Sequence, residues 1–313
     1  YSSAITLSAL PATIQAYAVA AGMTDGPVST YEFTERTGSY SLYFGQLHSH
    51  TTVSDGIGSL DDAYSHAKNT ANVDSLAVTD HSNSFDNASA GSMADGSVSA
   101  EWIEGHAAAD RYTDGGFVGI YGYEMTWSNG TGHINTYNTP GFETRENQVY
   151  KNPDGLLQYY NMLKQFPDSI SQFNHPGSTF GDFADFAHYD PEIDKLISLI
   201  EVGNGEGAIR SSGYFPSYEY YTRALDKGWH LAPTNNQDNH KGLWGDANTA
   251  RSVVLADSLT REDIYDAMRD MRVYATEDNN LRINYTLNGE YMGTVFAEKP
   301  DAVLILGDTN SAL

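Results

Sequence analysis

Nine residues of this chain are of types that hold metal ions or move protons: His48, His50, Asp55, His81, Glu124, His133, His175, Asp238 and His240. His48 and His50 lie two apart in Leu47-His48-Ser49-His50-Thr51. On extended chain both rings point to the same side, which suits a single ion. Asp55-Gly56 follows, then Thr79-Asp80-His81, Tyr123-Glu124, Gly132-His133, Asn174-His175-Pro176-Gly177 and Gln237-Asp238-Asn239-His240. A mixed imidazole and carboxylate set suits Zn, Mn or Fe better than Ca or Mg. Two such ions about 3.5–4 Å apart share a hydroxide, acidify it and clamp both oxygens of an in-line displacement.

The elements around these residues give the pattern its weight. Leu42–Leu47 is a short apolar run and predicts a strand. Ser59, with Asp62 three residues on, opens a helix whose stripe is Leu60, Ala63, Tyr64 and Ala67. Strands are expected at 76–79, 117–125, 133–137, 170–174, 196–202 and 230–234, and helices at 100–112, 156–166, 218–227 and 260–271. Such alternation implies a parallel α/β sheet covered by helices, open or closed into a barrel. In these folds the chemistry sits where the strands end, and the candidate ligands fall there repeatedly. One histidine at one strand end is weak evidence, but six of the ten histidines do so together with three carboxylates. His66 and His106 lie off the helical stripes and read as solvated. His188 and His230 have no acidic neighbour in a strand-end loop and read as structural.

Composition narrows the function. Lysine and arginine total 17 against 41 acidic residues in 313, a formal net charge of −24. Such a chain repels nucleic acid and anionic membranes, so no nucleic-acid partner is expected. The absence of cysteine excludes disulfides, thiolate zinc sites and cysteine nucleophiles. The stretch from Ile5 to Met23 carries Pro11, Thr13 and Gln15 and is too polar to span a bilayer. Few lysines, 22 tyrosines and many small polar residues lean towards an extracellular or cell-surface bacterial protein. Residue 1 is Tyr, so a processed or cut chain is expected, part of a larger multidomain protein.

The order HxH, Asp, DH, Glu, GH, HPG, DxH resembles the PHP (polymerase and histidinol phosphatase) superfamily over about residues 40–290. Asn235–His240 and Arg272–Asp278 look most like the subgroup named after carbaryl-type ester hydrolases. The resemblance implies a distorted barrel of seven βα units and two or three divalent metal ions. It implies one ion on His48, His50, Glu124 and Asp238, and a second bridged by Glu124 and completed by His133 and His175. A third would sit on Asp55, His81 and His240. Two departures stand out: the last motif, usually GSDAH or similar, is NQDNH here, and the third ligand of the first motif is Asp rather than His.

The leading expectation is metal-dependent hydrolysis of a phosphate mono- or diester by a metal-held hydroxide, acting on a small-molecule or glycan-linked ester. His81 or His240 is the candidate for protonating the leaving group. The same site would also hydrolyse a carboxylic or carbamic ester, because metals polarise a carbonyl as they do a phosphoryl group. A retired fold kept as a metal-stabilised binding module is the third reading, though all nine ligand positions are filled. Arg210 and Lys241 are cations that would reach a substrate, or else solvated charges. Gly203–Gly207 lacks a phosphate loop's lysine and reads as a flexible loop. Trp127 and Trp244 follow ligand segments and are candidates for a pocket wall or for ordinary packing. Residues 1–38 read as a separate N-terminal segment and 39–280 as the metallohydrolase domain. Residues 281–313 read as the start of a β-rich extension: 281–287 alternate before an Asn288-Gly289 turn, and a further strand is expected at 303–306.

Overall fold

The computed structural model describes residues 12–19, 21–33, 40–95 and 99–296. The chain divides into two units, Tyr1–Ser39 and Tyr40–Leu313. In the first, β1 (Ala12–Ala16) and β2 (Ser29–Phe33) form an antiparallel pair with Ala12 opposite Phe33. The strand expected at 303–306 lies outside the described residues. Among those described, no helix is long and apolar enough to cross a membrane.

The second unit is built on one curled sheet of mixed α/β architecture. Its strands are β3 (Ser41–Gln46), β4 (Ser75–Val78), β5 (Val118–Thr126), β6 (His133–Tyr137), β7 (Ile170–Asn174), β8 (Ile197–Asn204), β9 (Phe215–Pro216), β10 (Ala232–Asn236), β11 (Arg251–Ala256) and β12 (Val273–Thr276). Nine of them run in the order β10-β8-β7-β6-β5-β4-β3-β11-β12, with β9 added beside β8. The two ends of this path meet. Asn235 of β10 accepts no simple edge role: its main-chain N–H donates to Ser252 Oγ of β11 (3.0 Å) and its Nδ2 to the carbonyl of Thr276 of β12 (3.3 Å). Asn236 Oδ1 accepts from the Leu47 N–H (2.8 Å), tying β10 to the chain leaving β3.

The sheet departs from the expected parallel pattern in two places. β6 is antiparallel to both β5 and β7, and β11 is antiparallel to both β3 and β12. Strands therefore outnumber helices, and the regular alternation of βα units is broken. The cause for β6 is local: Trp127–Gly132 joins Thr126 directly to His133, its register partner, and so short a link permits only a hairpin. β11 and β12 were not among the expected strands.

Burial explains why these segments are strands. All nine residues of β5 and all eight of β8 are buried, as expected for a sheet covered on both faces. The cover comes from α1 (Leu60–His66), α2 (Ala100–Tyr112), α3 (Gly155–Leu163), α4 (Tyr218–Asp226) and α5 (Arg261–Arg269). The capping box on α1 forms as read: Ser59 Oγ accepts from the Asp62 N–H (3.1 Å) and Asp62 Oδ2 from the Ser59 N–H (2.9 Å). α2 lies on β5 so closely that a Cβ on Gly105 would meet the Tyr121 ring at 2.1 Å. Of the alternating run 281–287, only Thr286–Leu287 pairs, with Glu290–Tyr291 across the Asn288-Gly289 turn.

Candidate metal centre

All nine candidate ligands converge at one end of the curled sheet. They form four overlapping groups whose ligand atoms lie within 4.8 Å of one another. These are His50, Asp55, His81 and His240; His48, His175 and Asp238; His48, His50 and Glu124; and Glu124, His133 and His175. His48 and His50 leave β3, His81 leaves β4, Glu124 lies near the end of β5, His175 leaves β7, and Asp238 and His240 leave β10. His133 begins its strand rather than ending it. Because β6 runs antiparallel, its first residue stands among the other strands' last ones.

The spacing within the cluster is that of a coordination shell. His48 Nε2 lies 3.2 Å from His50 Nε2, 3.3 Å from Glu124 Oε1 and 3.2 Å from Asp238 Oδ1, and His50 Nε2 lies 3.0 Å from that same Oδ1. Ligand atoms about 2.0–2.1 Å from one tetrahedral ion stand about 3.3 Å apart. Around Glu124 Oε1, His133 Nδ1 is at 3.3 Å and His175 Nε2 at 3.4 Å. On the more open side, Asp55 Oδ1 lies 3.5 Å from His81 Nε2 and 3.2 Å from His240 Nε2. Glu124 Oε2, His133 Nδ1 and Asp238 Oδ1 are buried with no well-aligned hydrogen bond, and their near neighbours are other members of the cluster, His81 Nδ1 lying 2.6 Å from Glu124 Oε2. Buried polar atoms left in this state are costly unless something else meets them. Imidazoles and carboxylates so arranged have the composition and spacing to hold divalent metal ions.

The electrostatics keep the two carboxylates ionised and His50 neutral, as ligation requires, while the surrounding negative charge favours a proton on His48. Burial opposes a charge on Glu124, but His133, His48 and His81 keep its pKa well below the usual carboxylate value. Asp238 is likewise depressed against the effect of burial, by His48 and His50. Burial also works against protonation of His48, yet Asp238, Glu201 and Glu124 raise its pKa well above normal. His50 is pushed down to about 4 by burial and by neighbouring His81.

Several residues that the sequence reading did not single out hold the ligands in place. Glu201 is fully buried in β8. Its Oε1 lies 3.0 Å from His48 Nδ1, and its Oε2 accepts from the His175 N–H (2.7 Å) and from Asn204 Nδ2 (2.9 Å). Asp80 accepts from the Thr51 N–H (2.7 Å) and from Ser54 Oγ (2.6 Å), fixing the turn after His50. Asn174 Nδ2 donates to Glu124 Oε1 (2.8 Å). A carboxylate inside the apolar run Ile197–Val202 was the available signal for Glu201, since a charge is buried there only when it is paired.

Other candidates take different places. Trp244 is buried and donates Nε1–H to the His50 carbonyl (2.9 Å), a strut under the first motif. Trp127 is buried and donates to the Tyr150 carbonyl (3.2 Å). Lys241 pairs with Glu206 (3.3 Å) and Arg210 with Glu277 (3.1 Å). His106 is not solvated: it packs edge-on against Trp102 and Tyr121, with centroids 4.6 and 5.5 Å away. His66 pairs with Asp246 (2.8 Å), and His230 does have an acidic partner, Asp194 (2.7 Å). His188 is exposed. The glycine-rich loop is pinned, because Asn248 Nδ2 donates to the carbonyls of Gly205 and Gly207, both at 2.8 Å. Gly205, Glu206 and Gly207 line a cleft of about 590 Å³ that opens beside His175 and Asp238.

No family model and no curated protein matches this sequence. Solved structures do resemble it. A two-domain Bacteroides vulgatus protein containing a predicted PHP-like metal-dependent phosphoesterase aligns at 18% identity and a TM-score of 0.50. That alignment covers 77% of this chain and 66% of the other, just under two thirds of its length. A Bifidobacterium adolescentis putative metal-dependent phosphoesterase aligns at 13% identity and a TM-score of 0.38, over 72% of this chain and 95% of that one. A lesion-specific endonuclease from Pyrococcus furiosus aligns at 13% identity and 0.45, over 75% and 58%. At such identities the likeness is one of fold, and the Bacteroides match gives this chain a PHP-like fold.

Proposed function

We propose that this chain is a metal-dependent phosphoesterase that hydrolyses a phosphate mono- or diester at the cluster around Glu124. The observation carrying the proposal is the set of separations of 3.0–3.3 Å that places His48 Nε2 beside His50, Glu124 and Asp238, and His50 Nε2 beside Asp238. His48, His50, Glu124 and Asp238 would hold one ion, Glu124, His133 and His175 a second, and Asp55, His81 and His240 a third. Bound divalent ions there supply Lewis acidity towards phosphoryl oxygens and lower the pKa of water. With Glu201 counted, four carboxylates face two or three such ions, so the site is neutral to cationic and holds a phosphate through the ions despite the net charge of −24.

In the reaction a water oxygen bonds to phosphorus, the ester P–O bond breaks, and the departing alcohol takes a proton. His81 and His240 are poorly placed to give that proton. His81 Nδ1 faces Glu124 Oε2 (2.6 Å) and Thr126 Oγ1 (3.0 Å), and its Nε2 faces Asp55. His240 Nδ1 donates to the Asp238 carbonyl (2.8 Å) and its Nε2 also faces Asp55. We therefore assign both rings to ligation and the proton to solvent.

The test compares three nitrophenyl esters, a phosphate monoester, a phosphate diester and an acetate, with added Mn and with chelator. Chelator-sensitive turnover of either phosphate ester is the expected result. Turnover of the acetate alone would replace the proposal with carboxylic ester hydrolysis.

A further inference from the structure

The cleft beside the metal cluster carries features that hydrolysis itself does not need. Phe180 and Phe215 line it and remain 46% and 62% exposed. Phe180 is anchored, not loose. Its ring lies 4.7 Å from that of His175 and 5.0 Å from that of His133, centroid to centroid. The turn beneath it is closed by reciprocal main-chain bonds between Gly177 and Gly181, both 2.9 Å. Gly181 has φ +124°, and a Cβ there would strike the Gly130 carbonyl at 2.0 Å. Phe215, which also lines the cleft, is carried on β9, which pairs with the end of β8. Large apolar rings held in water beside a polar site mark a surface made for contact.

Charge decides what the rings would contact. Lys241 is the only lysine or arginine among the described residues lining the cleft, and it is paired with Glu206. Glu206 also accepts from the His240 N–H, so both its oxygens are engaged. Glu219, at the start of α4, adds an exposed carboxylate. Away from the metals this cleft repels anions. Its remaining lining includes Ser178, Thr179 and Ser212, which offer hydroxyls to a polar but uncharged group.

We propose that the cleft binds an uncharged, polyhydroxylated ring, a pyranose, between Phe180 and Phe215, placing the ester joined to it at the metal cluster. The inference rests on the phosphoesterase reading for the ester, but binding of the ring itself does not depend on turnover. A substrate whose second half is a nucleotide or carries several phosphates would meet Glu206 and Glu219 and be disfavoured.

The test is saturation-transfer NMR on the full chain without added metal, which separates ring binding from hydrolysis. The probes are neutral methyl pyranosides (gluco, galacto, manno and N-acetylglucosamine forms), with AMP as the anionic probe. At least one pyranoside should receive saturation, and AMP should not. The F180A/F215A double variant should lose at least four fifths of that transfer while keeping its circular dichroism spectrum. Should that variant not fold, E219K serves: AMP should then receive saturation where the wild type gives none, with pyranoside transfer unchanged. Transfer to no pyranoside, transfer that survives both aromatic substitutions, AMP binding equal to that of the sugars, or an E219K variant indifferent to AMP would each overturn the proposal. If the nitrophenyl phosphates are not hydrolysed while the pyranosides bind as described, the phosphoesterase reading fails and the sugar site stands.

Discussion

Glu201 reaches His48 from beneath the cluster, its Oε1 3.0 Å from the ring nitrogen that points away from the other ligands. The same carboxylate accepts the His175 N–H and a hydrogen from Asn236 Nδ2 (3.0 Å). One side chain thus orients two candidate ligands and ties β8 to β10. A carboxylate behind a ligating imidazole fixes its tautomer and raises its basicity. Glu201→Gln should weaken metal binding about 10–100-fold without abolishing it. Competition with a chelating dye reads this directly, and an unchanged affinity would show that Glu201 only supports the fold.

Glu124→Ala and Asp238→Ala should remove metal and turnover together, because Glu124 belongs to two of the overlapping ligand groups and Asp238 Oδ1 lies within 3.2 Å of both His48 and His50. His188→Ala, an exposed ring away from the cluster, should do neither. The metal also stabilises the fold if it binds only the folded chain, by about 2.7 kcal/mol at one hundred times its Kd. Melting temperature should therefore rise with added Mn in wild type and in His188→Ala, and stay flat in the other two.

His106 gives a pH dependence outside the cluster. Burial, reinforced by Arg261, depresses its pKa from 6.5 to about 4. The unfolded chain takes up this proton first as pH falls, so the linked stability is full above about 6.5 and is lost between about 6.5 and 4. The shift corresponds to a few kcal/mol at most, on the order of 3. His106→Leu should flatten that part of the stability profile in chelator, as measured by urea unfolding at several pH values. A wild-type difference that persists in the variant would assign the dependence to other groups.

Gly105→Ala sets two effects against each other. Alanine favours a helix over glycine by about 1 kcal/mol. The added Cβ, however, would press on the Tyr121 ring at 2.1 Å, and overpacking typically costs about 1–3 kcal/mol. We expect net destabilisation, seen as a lower urea midpoint with an unchanged slope. A stabilised variant would show that α2 can lift from β5 freely.

Much of the site was legible because its residues are chemically distinctive and recur where hydrophobic runs stop. His48, Glu124, His175 and Asp238 needed only strand ends to be recognised. His133 was legible as a motif, but the reason it joins the others was not, since strand direction depends on pairing and not on composition. The same limit hid β11 and β12: Arg251–Ala256 has no helix before it and joins the sheet in reverse. Glu201 was missed because one carboxylate in an apolar strand names no partner until β7 and β10 are beside it. His106 misled in the opposite way: its position off the helical stripe suggested water, but α2 packs so tightly on β5 that aromatic rings reach it. Of the expected strand at 281–287 only Thr286–Leu287 pairs, across the Asn288-Gly289 turn, while main-chain groups of Leu281 and Ile283 meet the Tyr274 hydroxyl instead of a neighbouring strand.

The spread of the cluster along the chain has a consequence for synthesis. Asp238 and His240 leave the ribosome nearly two hundred residues after His48. Until β10 docks, the first histidines have no Asp238 opposite them, and Leu47 has no Asn236 to receive its N–H. A nascent chain therefore exposes an incomplete chelator throughout the interval between these residues. The complete set exists only once the growing polypeptide has curled far enough for its late strands to reach its early ones.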